Sequence, residues 1–251
     1  IALITPVFNP TENQIENLVK SYKSLENIIN RFYLAVSVNS KNIKMLKEKV
    51  QGFNCKINID KDDGPDDALK KVISFVEEDF VWMLTCGELI KIKDKNFITK
   101  IDKDSIVFGN TTFINQDGSH SAMNPKKFNR FYKYKIPILN LSSCIMSKEN
   151  FLLSSPIKKY KVATDYEQIL RLYNLNLSLS YTDSFELIFF NDGNSVQNKI
   201  TGIAEMYHLS KHFYPNKYVT RILFYILFLL KHRINPFKFF KQLSKIDAYI
   251  D

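Results

Sequence analysis

The sequence is poor in cysteine, glycine and proline, and it lacks a long apolar run. Its three cysteines, Cys55, Cys86 and Cys144, are odd in number and widely spaced, so we expect neither a disulfide framework nor a cysteine-based zinc site. This cysteine usage is typical of a reducing cytoplasm. Seven glycines and eight prolines in 251 residues exclude collagen-like and low-complexity chains. The longest apolar run, residues 222–230, is far shorter than the roughly 20 residues of a membrane-spanning helix.

The chain does have ample apolar surface and an excess of positive charge. Apolar residues make up 45% and aromatic residues 14%, which favours a folded domain with a buried core over a disordered chain. The net charge of +9 is uneven, because residues 199–251 carry nine basic and three acidic side chains. We therefore predict two regions, a domain at residues 1–198 and a basic, amphipathic, helical C-terminal tail at residues 199–251.

Strand and helix patterns alternate along the first third of the chain. Apolar strand patterns cover residues 1–5, 31–39, 55–59 and 80–85, and helical 3–4 spacing covers residues 11–30, 41–51 and 66–78. This alternation predicts an α/β fold whose mainly parallel sheet is flanked by helices. Ligands of such sheets bind beyond the carboxyl ends of the strands. Polar clusters follow each predicted strand, so we expect the functional site there.

The remainder of the chain is less regular. We predict short strands at residues 106–110, 112–115, 142–146, 178–181 and 187–190, and helices at residues 165–175, 202–212 and 218–231. Residues 191–195 have the composition of a mobile loop, which favours a lid over a bound ligand as one interpretation.

Six short segments resemble a known enzyme family. They are ITPVFN at residues 4–9, DGPDDALKK at 63–71, VWMLTCGE at 81–88, IPILN at 136–140, VATDY at 162–166 and GNS at 193–195. In this order and spacing they resemble the motifs of inverting family 2 glycosyltransferases, which bacteria use to build lipopolysaccharide and other surface polysaccharides. The resemblance extends over about residues 1–196.

The resemblance implies a GT-A (Rossmann-like) fold with a C-terminal helical extension, and the transfer of a hexosyl or N-acetylhexosaminyl group. The resemblance also implies a nucleotide-diphosphate sugar as the donor, expected to be UDP-linked, and a hydroxyl of a growing glycan or lipid-linked glycan as the acceptor. Asp165 takes the place of the general base, which removes the acceptor's proton. Glu88 takes the place of the ligand to Mn²⁺ or Mg²⁺, a cation that neutralises charge on the leaving diphosphate.

The remaining site residues follow from the same motif positions. The donor side comprises Pro6, Phe8, Asn9, Ser37, Asp63, Asp67, Lys71, Thr85, Cys86 and Gly87, and the acceptor side comprises Asn140 and Tyr166. Three of the positions differ from the family pattern, since Ser37 and Glu88 replace aspartates and Asn140 replaces a histidine. These departures motivate an alternative function, a catalytically weak or inactive nucleotide-sugar-binding or scaffold protein on the same fold.

Each candidate also has an ordinary structural interpretation. Asp165 suits a helix N-cap, the acidic run at residues 62–67 suits a solvated first helical turn, and Glu88 suits a plain surface position. Cys86 is interpreted as a small loop residue rather than a nucleophile. Glu205, His208 and His212 have a spacing that can bind zinc, but the sequence offers no further ligand.

The C-terminal tail allows two interpretations. Residues 222–230 are flanked by basic side chains and followed by the basic aromatic stretch at 237–241, which suits a helix lying on the anionic inner face of a membrane. The same pattern suits a buried helix that packs on the domain with a basic outer side. No nucleic-acid-binding motif is present, so nucleic acid is not an expected partner. We therefore expect a cytoplasmic protein, with peripheral attachment to the inner membrane as one option.

Overall fold

A computed structural model describes most of the chain. The described residues are 1–123, 140–157, 160–191, 198–217 and 234–250, with 222, 225, 226, 229 and 230. By packing they divide into two units. The first unit comprises the described residues within 1–126, 139–153 and 177–191, and the second those within 127–138, 154–176 and 192–251.

The packing groups residues 154–176 with the C-terminal part of the chain. Tyr166 and Leu170 share one apolar cluster with Ile203, Leu209 and Ile246. The sequence predicts a single boundary between residues 198 and 199. That boundary stays a prediction. The grouping of residues 154–176 with the C-terminal part was not predicted, because a contact between distant segments leaves no signal in the local pattern.

Among the described residues, nine strands form one sheet in the first unit. They are β1 (Ala2–Val7), β2 (Arg31–Ser37), β3 (Cys55–Asp60), β4 (Phe80–Met83), β5 (Leu89–Ile92), β6 (Ser105–Asn115), β7 (His120–Met123), β8 (Cys144–Ser147) and β9 (Ser178–Asn191). Their order is β3-β2-β1-β4-β8-β6-β9-β5, and β7 pairs with β6. Strands β1 to β4 pair in parallel, as do β6 and β9, and the other pairs are antiparallel. The predicted α/β class, a sheet flanked by helices, is confirmed.

The described helices follow most of the predicted ones. They are α1 (Glu12–Leu25), α2 (Ile43–Val50), α3 (Pro65–Ile73), α4 (Lys148–Ser154), α5 (Thr164–Asn174), α6 (Lys199–Phe213) and α7 (Pro236–Ile250). Strands β5 and β7 and helix α4 were not predicted, and α7 lies in the tail that was predicted to be helical without a separate helix there. The two pairs of short strands predicted at residues 106–115 and 178–190 form the single strands β6 and β9. Of the predicted loop, residues 192–195 lie outside the described residues, as does most of the predicted helix at 218–231.

Helix α1 illustrates how local sequence sets the frame of the site. Thr11 is its N-cap and forms a capping box with Gln14, in which each side chain accepts the other's backbone N–H. The helix buries Ile15, Leu18 and Tyr22 against the sheet. The helix begins at Glu12, five residues after the end of β1 at Val7. The end of the first predicted donor-side segment lies between them.

Candidate functional site

The carboxyl ends of the four parallel strands lie side by side. The register pairs Val7 of β1 with Val36 of β2, and Ser37 of β2 with Asp60 of β3, while β4 runs parallel to β1 on its other side. The structure thus brings the donor-side segments predicted from sequence to one edge of the sheet. This edge is the ligand-binding position expected for parallel α/β sheets.

Asn9 links the loops that follow β1 and β2. Its backbone lies in the left-handed region, with φ 45°, a conformation that asparagine adopts more readily than most residues. The Asn9 N–H donates to Ser40 Oγ at 2.7 Å, and Asn9 Oδ1 accepts the Lys41 N–H at 2.8 Å. Phe8, in the same loop, is 64% exposed. A fixed loop therefore presents an open aromatic ring at the strand edge.

The loop after β3 is ordered by its own carboxylates. Asp62 Oδ1 accepts the Gly64 N–H at 3.0 Å, and Asp67 Oδ2 accepts the Asp63 N–H at 3.1 Å. Lys71 Nζ lies 2.9 Å from Asp67 Oδ2, and this hydrogen bond lowers the pKa of Asp67 and raises that of Lys71. These contacts agree with the interpretation of the acidic run as a loop and first helical turn. They also place a cation, Lys71, beside the acidic groups.

The turn after β4 is closed by Glu88. This residue is only 4% exposed, and its Oε2 accepts the Thr85 N–H at 2.8 Å while its own N–H donates to the Thr85 carbonyl at 3.1 Å. Gly87 has φ +104°, and a Cβ on it would lie 2.8 Å from Gln14 Cγ, so a side chain is excluded there. Burial, with a smaller contribution from Glu88, raises the pKa of the Cys86 thiol to about 12, which agrees with a structural rather than nucleophilic cysteine.

A polar stripe on α1 holds the segment that follows this turn. Asn17 Nδ2 donates to the Gly87 carbonyl at 3.2 Å, and Ser21 Oγ donates to the Glu88 carbonyl at 3.1 Å. Ser24 Oγ donates to the Ile90 carbonyl at 2.9 Å. Sequence analysis missed these three residues. The available signal was their 4- and 3-residue spacing within an otherwise apolar helix face.

The predicted divalent cation at Glu88 stays a prediction. No group of three or more His, Cys, Asp or Glu side chains suited to a metal occurs within the described residues. The Glu88 carboxylate is buried and accepts a hydrogen bond from the Thr85 N–H. This position does not favour Glu88 as the ligand of a solvent-accessible metal ion.

Asn140 lies beside the end of β4 and has a local structural role. Its Oδ1 accepts the Ser142 N–H at 2.9 Å, which caps the short 3₁₀ helix Leu141–Ser143. The Ser142 carbonyl in turn accepts the indole N–H of Trp82 at 2.8 Å. Asn140 thus begins a turn that is attached to β4 through Ser142. The rest of this predicted motif, residues 136–139, and the GNS motif at 193–195 lie outside the described residues.

Asp165 and Tyr166 belong to the second unit. Asp165 is exposed in the first turn of α5, whose N-cap residue is Ala163, so the alternative interpretation of Asp165 as the N-cap is wrong. Tyr166 is buried in the apolar cluster, and this burial raises its pKa. Burial does not favour contact between Tyr166 and an acceptor, and that role stays a prediction.

The residues with zinc-like spacing have other partners. Glu205 is fully buried and accepts backbone N–H groups, and His208 Nδ1 lies 2.9 Å from the Tyr160 hydroxyl. These contacts give no support to a zinc site at Glu205 and His208. The backbone partners of Glu205 are residues 161–163, which immediately precede α5.

Comparison with known proteins gives similarity to solved structures. Neither a protein-family model nor a curated protein matches the sequence. Over its full length the chain is similar to 81% of S. aureus TarS 1–349 in complex with UDP-GlcNAc, with a TM-score of 0.62 and 16% identity. The UDP complex of TarS 1–349 gives a TM-score of 0.52 at 15% identity over 86% of this chain and 65% of that one.

A longer TarS structure gives a TM-score of 0.54 at 15% identity, over 82% of this chain but only 39% of the TarS chain. This chain therefore spans about two fifths of that longer protein. At such low identity the similarity shows the fold. The fold is GT-A-like, as the sequence predicts.

Proposed function

We propose that this protein is a glycosyltransferase that transfers a sugar from a UDP-linked donor to a hydroxyl group of a surface glycan. The observation that carries the proposal is the edge at the ends of β1 to β4. There, the ordered loops of Asn9, Asp63 and Thr85 follow three of the four adjacent parallel strands, and Asn9 is bonded to Ser40 in the loop after the fourth, β2. The similarity to TarS, which was solved with UDP-GlcNAc and with UDP, supports a UDP-sugar as the ligand.

The proposed reaction follows the inverting family 2 pattern. The strand edge binds the donor. The exposed Phe8 ring is available to the nucleobase of the donor, and Lys71 is a nearby cation. Asp165 accepts the proton of the acceptor hydroxyl while the hydroxyl oxygen attacks the anomeric carbon of the donor sugar. A new C–O bond forms on one face of the sugar, the bond to the diphosphate oxygen breaks on the other, and UDP leaves with that electron pair. A growing lipopolysaccharide-type glycan is the proposed acceptor.

A panel of nucleotide sugars tests this function. Binding of the correct donor at about 100 times its Kd should stabilise the fold by about 2.7 kcal/mol through mass action, measured as a rise in Tm. UDP release in the presence of glycan acceptors, with and without Mn²⁺, then measures transfer. Stabilisation without transfer or hydrolysis would favour the non-catalytic alternative, which the buried, turn-closing position of Glu88 supports. The absence of any stabilisation across the whole panel would contradict the proposed function and leave only the scaffold form of the alternative.

We further propose that the tail contacts anionic lipid through the outward face of α7. On this helix Phe237 is 85% exposed and Phe240 60% exposed, whereas Phe239 and Ile246 on the opposite side are buried. Lys241, which follows Phe240 in sequence, and Lys245, one helical turn further on, are also exposed. Exposed aromatic rings flanked by lysines are the composition expected of a helix that lies in a lipid headgroup layer. Within the part of the chain that the structure describes, every helix is too short or too polar to span a bilayer.

Point substitutions test this contact better than truncation, because Tyr225, Leu229 and Phe239 of the tail belong to the core of the second unit. Replacing both Phe237 and Phe240 with serine should weaken binding to vesicles containing phosphatidylglycerol at least about tenfold. The reason is that each fully buried phenylalanine contributes roughly 1.5–3 kcal/mol, and tenfold corresponds to about 1.4 kcal/mol. Flotation on vesicle gradients measures the bound fraction.

The matched control is the double replacement of Leu152 and Leu153 by serine. These leucines of α4 are 48% and 57% exposed, so the control removes exposed apolar surface from a different part of the chain. Its flotation should equal that of the wild type. Equal flotation of the two double variants would contradict the proposed lipid contact.

A further inference from the structure

A buried carboxylate on α6 holds the backbone that leads into α5. Glu205 is fully buried, and its Oε1 accepts the Lys161 N–H at 3.0 Å. Its Oε2 accepts the N–H groups of Val162 and Ala163, both at 2.9 Å. Hydrogen bonds from backbone N–H groups to a carboxylate are charge-assisted and stronger than those between neutral groups. Three consecutive residues are thus fixed by one side chain.

Two other residues on the same side of α6 contact this segment. A Cβ on Gly202 would lie 2.9 Å from Val162 Cγ1, so the helix backbone approaches Val162 closely. His208 Nδ1 lies 2.9 Å from the Tyr160 hydroxyl. Because Gly202, Glu205 and His208 are three residues apart, they occupy neighbouring positions on the helix surface. The 160–163 segment is therefore held along its length by one face of α6.

This segment ends at the helix that carries the proposed base. Ala163 is the N-cap residue of α5, and its own side chain supplies no capping hydrogen bond. Asp165 follows two residues later and is exposed. The position of the Asp165 carboxylate therefore depends on a backbone segment whose N–H groups are bonded to Glu205.

We propose that Glu205 is a positioning residue for Asp165, which rests on the proposed function of Asp165 as the general base. Glu205 touches neither donor nor acceptor in this role. It fixes residues 161–163 and with them the first turn of α5. A misplacement of a reacting group by about 1 Å can lower a rate by about 10²-fold, so loss of this anchor should affect turnover more than donor binding.

The substitution Glu205→Gln tests the proposal. The amide keeps one acceptor oxygen but turns an N–H₂ group toward at least one backbone N–H, so the three hydrogen bonds cannot all form. We expect kcat to fall roughly 10- to 100-fold while KM for the nucleotide sugar stays within about twofold of the wild type. Hydrogen exchange at the amides of residues 161–163 should accelerate. Glu205→Asp, which keeps both oxygens, should restore part of kcat.

The control separates positioning from stability. Leu209 lies on the same helix and in the same core, and Leu209→Ala should lower Tm at least as much as Glu205→Gln without lowering the kcat of the folded enzyme. If Asp165→Asn inactivates the enzyme but Glu205→Gln retains the wild-type kcat, the positioning role of Glu205 is contradicted and the assignment of Asp165 is not. Full turnover in Asp165→Asn would contradict the assignment of the base and, with it, this proposal. A kcat equally reduced in Leu209→Ala would show that Glu205 acts only through stability.

Discussion

Replacing Asp165 with asparagine should lower the transfer rate by about 10²- to 10⁴-fold, the usual contribution of a general base. Asparagine has nearly the same shape as aspartate but cannot accept the acceptor's proton. Because Asp165 is exposed in the first turn of α5, the substitution should change the free energy of unfolding by no more than about 0.5 kcal/mol. Donor binding, measured by calorimetry or by the donor-induced rise in Tm, should be nearly unchanged.

Two further variants make this experiment specific. Glu149 is an exposed carboxylate in the first turn of α4, so Glu149→Gln makes the same chemical change at a comparable place and should retain full activity. Asp165→Glu keeps a carboxylate but moves it by about one C–C bond, roughly 1.5 Å, and should retain only part of the activity. Full turnover in Asp165→Asn would show that another group removes the proton.

The first four strands could be predicted because their signal is local. Apolar runs followed by polar clusters mark β1 to β4. The same pattern led to the candidate site at their carboxyl ends, and that assignment stays a prediction. Strand β5 (Leu89–Ile92) was missed because it is short and contains lysine. It is a strand because it pairs with β9, with Leu89 opposite Ile188. Pairing over such a separation leaves no periodic signal in either segment.

The site shows the same limit. The motifs led to Asn9, Asp63 and Asp165 but not to Ser21, and they drew attention to Glu205 only for a spacing that can bind zinc. Ser21 bonds to the backbone of Glu88 and Ile90, and Glu205 bonds to residues more than 40 positions earlier in the chain. A buried polar residue that bonds to distant backbone is recognised only when packing brings the two segments together.

The tail shows why an apolar pattern alone does not identify a partner. An apolar helix face is equally compatible with a lipid surface and with a protein core. Tyr225 and Leu229, from the apolar run at residues 222–230, belong to the core of the second unit. Among the described residues, the most exposed aromatic side chain is instead that of Phe237, in the basic stretch that follows. The proposed lipid contact therefore lies on α7.

Truncating the single tryptophan should produce the largest loss of stability that we predict. Trp82 on β4 is fully buried, and its ring packs against Phe97 and Phe185, with centroids 6.1 and 4.6 Å away. Removing a buried tryptophan to alanine costs about 3–5 kcal/mol, a large part of the roughly 5–15 kcal/mol that stabilises a typical domain. Because Trp82→Ala removes the tryptophan fluorescence, circular dichroism during urea unfolding is the appropriate measurement.

Trp82→Phe separates the two contributions of this side chain. Phenylalanine keeps an aromatic ring in the core but removes the indole N–H that donates to the Ser142 carbonyl at 2.8 Å. Leaving a buried carbonyl without its donor costs about 1–3 kcal/mol, so this variant should lie between the wild type and Trp82→Ala. The same hydrogen bond attaches the turn that begins at Asn140 to the end of β4, beside Thr85. Trp82→Phe should therefore also raise the rate of hydrogen exchange in that turn. An unchanged exchange rate in a destabilised variant would show that the ring alone, and not the N–H, connects the core to the site.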